Sequence, residues 1–461
     1  MFQTVEIPVW VIVIVALLAA VAALERILVP SVRWFFRRRM ERVVARLNTR
    51  LERPIEPFKL ARRHDTIQRL IYSPQVSEAI NEYAASEGVP ENVAFENAQR
   101  YAKEIVPSFS ATAYFGFAIR LARVISRSIY RIRIGYFDEE ALSKISPEAT
   151  VVFVMNHRSN MDYVLVTYLA AKRAALSYAV GEWARVWPLQ GLIRSMGAYF
   201  IRRKSYNALY RGVLARYVQM ATEAGVAQAV FPEGRLSLTG GVGDAKLGIL
   251  SYVISGYHPL RDRDVVFVPV ALNYDRVLED RVLREAAHGG RSKFKFSVWR
   301  SFGFMFRQLR FMLTGRFHRF GYAAVSFGEP LSLRAFSQSQ TGNLPPLVAE
   351  ELMTRVRAVV PAVPVPMVAT IFEQAERPLT HDDVVERYVK MLDLLRSNGV
   401  HVHVPRDNPA YGAEVGLRML KLRRFVLEQD DGFVISPKSA EFVTYYAESI
   451  AHFFEAPEVS P

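Results

Sequence analysis

The sequence has 461 residues, 51% of them hydrophobic and 23% charged, and no cysteine. That excludes a disordered chain, a disulfide framework, a cysteine nucleophile and any thiolate metal site, and it leaves room for two or three domains. The formal net charge of +14 asks for an anionic partner: nucleic acid, lipid headgroups or a phosphorylated substrate.

The first element reads as a transmembrane helix. Ile7 to Leu24 (IPVWVIVIVALLAAVAAL) holds 18 residues without a charge, with Trp10 as an interface anchor and Ile27 to Val29 as an extension. Arg26, Arg33, Arg37, Arg38, Arg39, Arg42, Arg46, Arg50 and Arg53 follow it, and only Glu6 precedes it. The positive-inside rule then predicts a single-pass membrane protein of bacterial inner-membrane type, with its bulk in the cytoplasm. The rival is a signal peptide cleaved near Val21, which lacks a basic leading region. The stretch WFFRRRMERVVARLNTRLER reads as a basic amphipathic helix on anionic headgroups, against an ordinary solvated helix face. No helix-turn-helix, zinc or RNA-binding signature supports nucleic acid as a partner.

From about Pro54 to Tyr136 the pattern is helical. SPQVSEAINEYAASEG and NVAFENAQRYAKEIV space their apolar residues as helices do, with a start at Ser73 and Pro74. Tyr114 to Ile134, rich in aromatics and arginine, reads either as a membrane-surface helix or as a core helix.

Near residue 149 the pattern changes. Thr150 to Met155 (TVVFVM) is a β-branched apolar run, read as a buried strand. Further strands are expected at Leu176 to Val180, Gly197 to Arg203, Val226 to Phe231, Val265 to Leu272 and Ala323 to Phe327. Tyr163 to Lys172 and Asn207 to Ala224 read as helices. This alternation predicts an α/β fold with a mixed sheet flanked by helices, plus helical accessory regions. Arg307 to Phe320 (RQLRFMLTGRFHRF) interleaves basic and aromatic residues, for membrane docking, nucleic-acid binding or packing. From about Pro345 the chain turns helical again, with a cap at Thr380-His381-Asp382-Asp383 and a helix to about Ser397. HVHV and DGFVIS suggest short strands, and His401 and His403, with no third ligand nearby, read as surface or packing residues. The expected divisions are an anchor at 1–30, a basic helical region at 31–135, a catalytic domain at 136–340 and a mostly helical region at 341–461.

One constellation carries chemistry. His157 lies just past a buried strand, and Asp162 lies five residues on, where a first helical turn returns it to the imidazole. An Asp on one ring nitrogen fixes the tautomer and leaves the other nitrogen to take a proton from a hydroxyl. The bland alternative is a loop histidine beside a helix-capping Asp.

Further motifs add to this pair. NHRSNMDYVL resembles the His-x4-Asp block of the glycerolipid acyltransferases, most of all the membrane-bound bacterial and mitochondrial glycerol-3-phosphate acyltransferases. GAYFIRR at 197–203, FPEGRLSLTG at 231–240 and VPVALNYDRVLE at 268–279 are similar to that family's second, third and fourth blocks, in order. FGEP at 327–330 and YYAESIAHFF at 445–454 resemble later segments.

The resemblance implies transfer of a fatty acyl group from an acyl-CoA or acyl carrier protein thioester to a hydroxyl of glycerol-3-phosphate, in phospholipid synthesis. His157 would be the general base and Asp162 its orienting partner. Arg203 with Arg202 would bind the acceptor's phosphate, and Glu233 and Gly234 would help to hold the glycerol phosphate. Pro269 would shape the acyl-donor side, and Arg158 or backbone N–H groups would face the oxyanion. The third block departs from the family, because Leu236 occupies the usual Arg position; Arg235 or Lys246 would supply that charge. No cofactor or metal is expected, since the histidines and acids lack zinc-type spacing. Two alternatives stand beside this reading. One is a 1-acylglycerol-3-phosphate (lysophosphatidate) acceptor; the other is a non-catalytic membrane scaffold, against which the intact His157 and Asp162 argue.

Overall fold

The computed structural model describes residues 8–24, 26, 29–137, 139–169, 174–181, 189–202, 207–288, 320–340 and 342–454. Their contacts divide the chain into two units, residues 1–55 with 172–174, and the remainder.

The first unit is helical. Val9–Ala23 forms a 15-residue helix with no buried residue, and its large apolar side chains from Val9 to Val21 lie open. At 1.5 Å per residue it is about 22 Å long, against a hydrocarbon core of about 30 Å. The 18-residue transmembrane expectation is therefore not met: among the described residues no helix is long and apolar enough to cross a membrane. Ile27 and Leu28, read as its extension, lie outside the described residues. The basic stretch is helical as expected, over Val29–Asn48, with Arg38 stacked 5.0 Å from the Trp34 ring. The side chains of Arg33 and Arg37 lie outside the described residues.

The second unit is built on a mixed sheet. Its strands are β1 (Arg131–Phe137), β2 (Thr150–Met155), β3 (Ser177–Gly181), β4 (Tyr199–Ile201), β5 (Gln228–Val230), β6 (Val265–Tyr274), β7 (Tyr322–Phe327) and β8 (Leu331–Ser332). They lie in the order β1-β7-β6-β2-β5-β3-β4, with β8 on β6. From β6 to β4 all neighbours run parallel, while β7 and β8 run antiparallel to β6. The ends of β2, β4, β5 and β6 therefore open on one edge of the sheet, where α/β sheets gather reactive groups. Val152 and Val154 of β2 and Phe267 and Ala271 of β6 share one core with helices Arg63–Ile71, Pro74–Glu87, Glu91–Ile105 and Ala208–Glu223.

β1 departs from the sequence reading, which ran the helix on to Ile134. The helix stops at Ile129, and RIRIGYF pairs in parallel with β7. Its alternation of Arg and Ile has the period of a strand, and Arg131 and Arg133 stack on the Tyr322 ring at 5.7 and 5.4 Å. HVHV is no strand but a single bridge from Val402 to Ala362. DGFVIS does supply a strand, β10 (Gly432–Ile435), in a hairpin with β9 (Val426–Gln429). Thr380 and Asp383 form the expected capping box of helix His381–Ser397.

The C-terminal helices belong to the same compact unit as the sheet. Val348, Leu352 and Val356 of helix Leu344–Ala358 lie in the core cluster with β2 and β6. Residues 307–319, most of the basic aromatic stretch, lie outside the described residues, as do the helix positions 170–172.

Candidate active site

Asn156 ends β2 by imitating a strand residue. Its side chain accepts from Leu272 N at 2.8 Å and donates to Leu272 O at 3.0 Å, locking the strand end to β6. The chain then turns through His157 to Asn160 and enters helix Met161–Leu169 with Asp162 in its first turn. A carboxylate there is favoured by the exposed N–H groups of the helix start.

Asp162 is fully buried and organises the loop. Its Oδ2 accepts from the backbone N–H of Arg158 (2.8 Å) and Ser159 (3.0 Å) and lies 2.9 Å from His157 Nδ1. Tyr274, the last residue of β6, donates its hydroxyl to Oδ1 at 2.5 Å. Burial and the charge of Asp162 push the Tyr274 phenol up, which keeps it a donor. A neutral His157 ring carries its proton on Nδ1 toward Asp162 and keeps a lone pair on Nε2. Among the described residues no hydrogen bond occupies Nε2. The ring packs against Phe231 at 4.3 Å and Tyr163 at 5.4 Å between centroids.

The turn after β5 supports the same histidine from behind. Glu233 Oε1 accepts from His157 N at 2.9 Å, and Oε2 from Gly243 N at 3.3 Å. Ser237 N donates to His157 O at 2.8 Å. Burial raises the Glu233 carboxyl, partly offset by these backbone donors. Glu233 thus holds the loop, and both its oxygens are taken up by backbone. Gly234 turns here with φ of 68°. Arg235 and Lys246 are exposed, and the Lys246 side chain comes within 3.5 Å of where a Gly234 Cβ would stand.

The other expected positions are distributed differently. Arg202 follows β4, three strands from β2, which is roughly 14 Å at normal strand spacing. Its guanidinium forms a two-pronged pair with Glu104 at 2.8 and 2.7 Å and lies over Tyr101 and Tyr210. Those contacts fill its fork, so it bridges β4 to helix Glu91–Ile105. Arg203 lies outside the described residues. Pro269 is buried inside β6, opposite Val154. Its carbonyl accepts from Gly328 N at 2.8 Å, in the gap where β7 has left β6 and β8 has not yet joined. A residue without an N–H suits that gap. The Arg158 side chain is buried, its guanidinium 5.1 Å from the Tyr445 ring, with no hydrogen bond to Nε or Nη2. The backbone N–H groups of Arg158 and Ser159, just beyond the end of β2, are committed to Asp162.

Two supporting residues escaped the sequence reading, although both lie within the quoted stretch VPVALNYDRVLE. Tyr274 is one. The other is Glu279, which accepts from Ser159 Oγ (2.8 Å) and from the side chain of Asn160 (3.0 Å). Their only signal was a polar group at the end of, or shortly after, a buried strand that neighbours β2. The arrangement is an imidazole oriented through Nδ1, with an aromatic wall and no hydrogen bond at Nε2 among the described residues, and such a ring is able to accept a proton.

Known proteins resemble the chain over most of its length. Residues 137–273 match a family model described as acyltransferase, and residues 305–458 match one described as glycerol-3-phosphate acyltransferase C-terminal region. The chain is 28% identical to a glycerol-3-phosphate acyltransferase of Shewanella amazonensis, over 90% of this chain and 53% of that protein. It is 27% identical to one of Pseudomonas putida, over 86% of this chain and 50% of that protein. The chain thus spans about half the length of the curated relatives it matches. A solved 1-acyl-sn-glycerophosphate acyltransferase from Thermotoga maritima aligns at 17% identity, with a TM-score of 0.29, over 61% of this chain and 95% of that chain.

Proposed function

We propose that the chain is a member of the glycerol-3-phosphate acyltransferase family and transfers a fatty acyl group from a thioester to a hydroxyl of glycerol-3-phosphate. The observation that carries this reading is the His157 ring, tethered at Nδ1 by Asp162 and with no hydrogen bond at Nε2 among the described residues. A free alcohol is a poor nucleophile near neutral pH. His157 Nε2 takes its proton as the oxygen attacks the thioester carbonyl. Collapse of the tetrahedral adduct breaks the C–S bond, forms the ester and passes the proton to the departing thiolate. The donor is acyl-CoA or the acyl carrier protein thioester. Arg235 and Lys246 are the cations we assign to the acceptor's phosphate, because they stand exposed at or near the turn after β5, whose Glu233 and Ser237 hold the His157 backbone.

The helix Val9–Ala23, apolar and without a buried residue, is followed by a basic helix, and we assign this pair to attachment on an anionic bilayer. The catalytic unit then works on the cytoplasmic side, in phospholipid synthesis.

The experiment is an assay of the detergent-solubilised protein. Labelled glycerol-3-phosphate and lysophosphatidate are each offered with acyl-CoA and with acylated carrier protein. Esterification of glycerol-3-phosphate above lysophosphatidate is expected with at least one donor. Acylation of lysophosphatidate alone would overturn the acceptor assignment, and no transfer with any pair would overturn the enzymatic reading.

A further inference from the structure

The residues just beyond β6 tie the catalytic loop to the C-terminal part of the chain. Glu279 takes Ser159 Oγ on Oε2 at 2.8 Å, and Asn160 N (3.3 Å) and Nδ2 (3.0 Å) on Oε1. Asp162 holds the N–H groups of Arg158 and Ser159 in the same turn. The tetrapeptide His157–Asn160, just ahead of helix Met161–Leu169, is therefore gripped by two carboxylates.

Glu279 is followed by Asp280, and Asp280 is anchored from far along the chain. It is buried and accepts the Tyr446 hydroxyl at 2.6 Å and Arg423 Nη1 at 2.5 Å. The same Tyr446 oxygen accepts from Arg423 at 2.9 Å and from Val277 N at 3.0 Å. Tyr446 lies on helix Ala440–Ala447, and the neighbouring Tyr445 covers the Arg158 guanidinium. Gly240, with φ of 105°, lets the Ser237 loop lie against the Tyr445 carbonyl, where a Cβ would stand 1.9 Å away. One C-terminal helix thus meets the catalytic loop, the turn after β5 and the residues following β6.

We propose that Glu279 is a positioning residue for the reaction, and that the Asp280–Tyr446–Arg423 cluster holds Glu279 in place. Helix Ala440–Ala447 is then part of the active-site framework. The proposal rests on the acyl-transfer reading for its kinetic test. A misplacement of about 1 Å in a catalytic group costs on the order of a hundredfold in rate, so an unsupported turn lowers turnover more than substrate affinity. Glu279 suits the task because a carboxylate accepts from all three donors, whereas an amide would turn its NH2 against some of them.

The test uses the full chain with Glu279→Gln, Tyr446→Phe and the double variant. Tyr446→Phe keeps the ring and removes only the hydroxyl. Relative to the unaltered chain, kcat per folded protein is expected to fall about thirtyfold and about tenfold in the single variants. KM for both substrates should stay within about twofold. The double variant should be no slower than Glu279→Gln, since both act through the same atoms. Unchanged kcat in Glu279→Gln, or fully additive losses, would overturn the proposal, even with a lowered Tm. A second readout needs no substrate: the downfield Nδ1-proton resonance of His157, assigned by its absence in His157→Gln. It should shift or broaden in both single variants, and an unmoved resonance in both would overturn the proposal. Absence of any acyl transfer by the unaltered chain, with the resonance responding as expected, would count against the proposed function alone.

Discussion

Tyr274 donates its hydroxyl to Asp162 at 2.5 Å across 112 residues of sequence, so the last residue of β6 fixes the carboxylate that orients His157. Tyr274→Phe keeps the packed ring and leaves Asp162 Oδ1 without this donor. A hydrogen bond to a charged group contributes roughly 1.5–3 kcal/mol. Turnover should fall about tenfold or more, with KM for both substrates little changed. Steady-state kinetics on folded protein check this, and a variant with unaltered kcat would remove Tyr274 from the site.

His157→Ala should abolish most turnover while leaving the fold in place. A positioned general base contributes about 10²–10⁴ in rate. Circular dichroism and thermal unfolding should match the unaltered chain within a few degrees. A purified variant with more than about a tenth of the original kcat would show that another group takes the proton.

The acceptor's phosphate separates Arg235 and Lys246 from Arg202. Arg235→Ala and Lys246→Ala should each raise KM for glycerol-3-phosphate about tenfold or more, with the donor's KM little changed. Arg202→Ala should instead lower stability, by about 1 kcal/mol, since its fork already holds Glu104. Varied acceptor at saturating donor, with urea unfolding of each variant, decides between them. Raised acceptor KM in Arg202→Ala alone would move the phosphate site to β4.

Asp275 predicts how stability depends on pH. Its oxygens accept from Tyr322 N at 2.7 Å and Val365 N at 2.9 Å, joining the sheet to helix Pro364–Glu373. Burial pushes its carboxyl up to about 7, against the pull of the two backbone donors and Arg131. The folded state therefore holds this proton more tightly than the unfolded chain, whose carboxyl titrates near 3.8. Stability should fall as pH rises from about 4 to about 7, and level off above that. Asp275→Asn removes this titration and should flatten the profile across that window. Urea unfolding from pH 4.5 to 8 checks it, and parallel profiles for the two proteins would exclude Asp275 as a source.

The buried strand TVVFVM and the pairing of His157 with Asp162 were legible in the sequence, because both are local. A β-branched apolar run has few alternatives to a buried strand, and a helix start five residues on brings Asp162 back to 2.9 Å from the ring. The strand ending before Glu233 was legible for the same reason. Other features were decided only by the assembled sheet. The edge strand β1 looked helical because the helix before it runs to Ile129, and its Arg–Ile alternation is too short to decide without the pairing with β7. Arg202 looked like a free cation because nothing in GAYFIRR shows that Glu104 stands opposite. Tyr274, Glu279 and Tyr446 reach the site from 112 or more residues away, or through residues that do, over strand pairings and helix contacts that sequence periodicity does not encode. The sequence by itself singled out the His157 imidazole as the candidate group. Tertiary structure decided what holds that group still, because positioning depends on hydrogen bonds between strands and helices that are neighbours only in the folded chain.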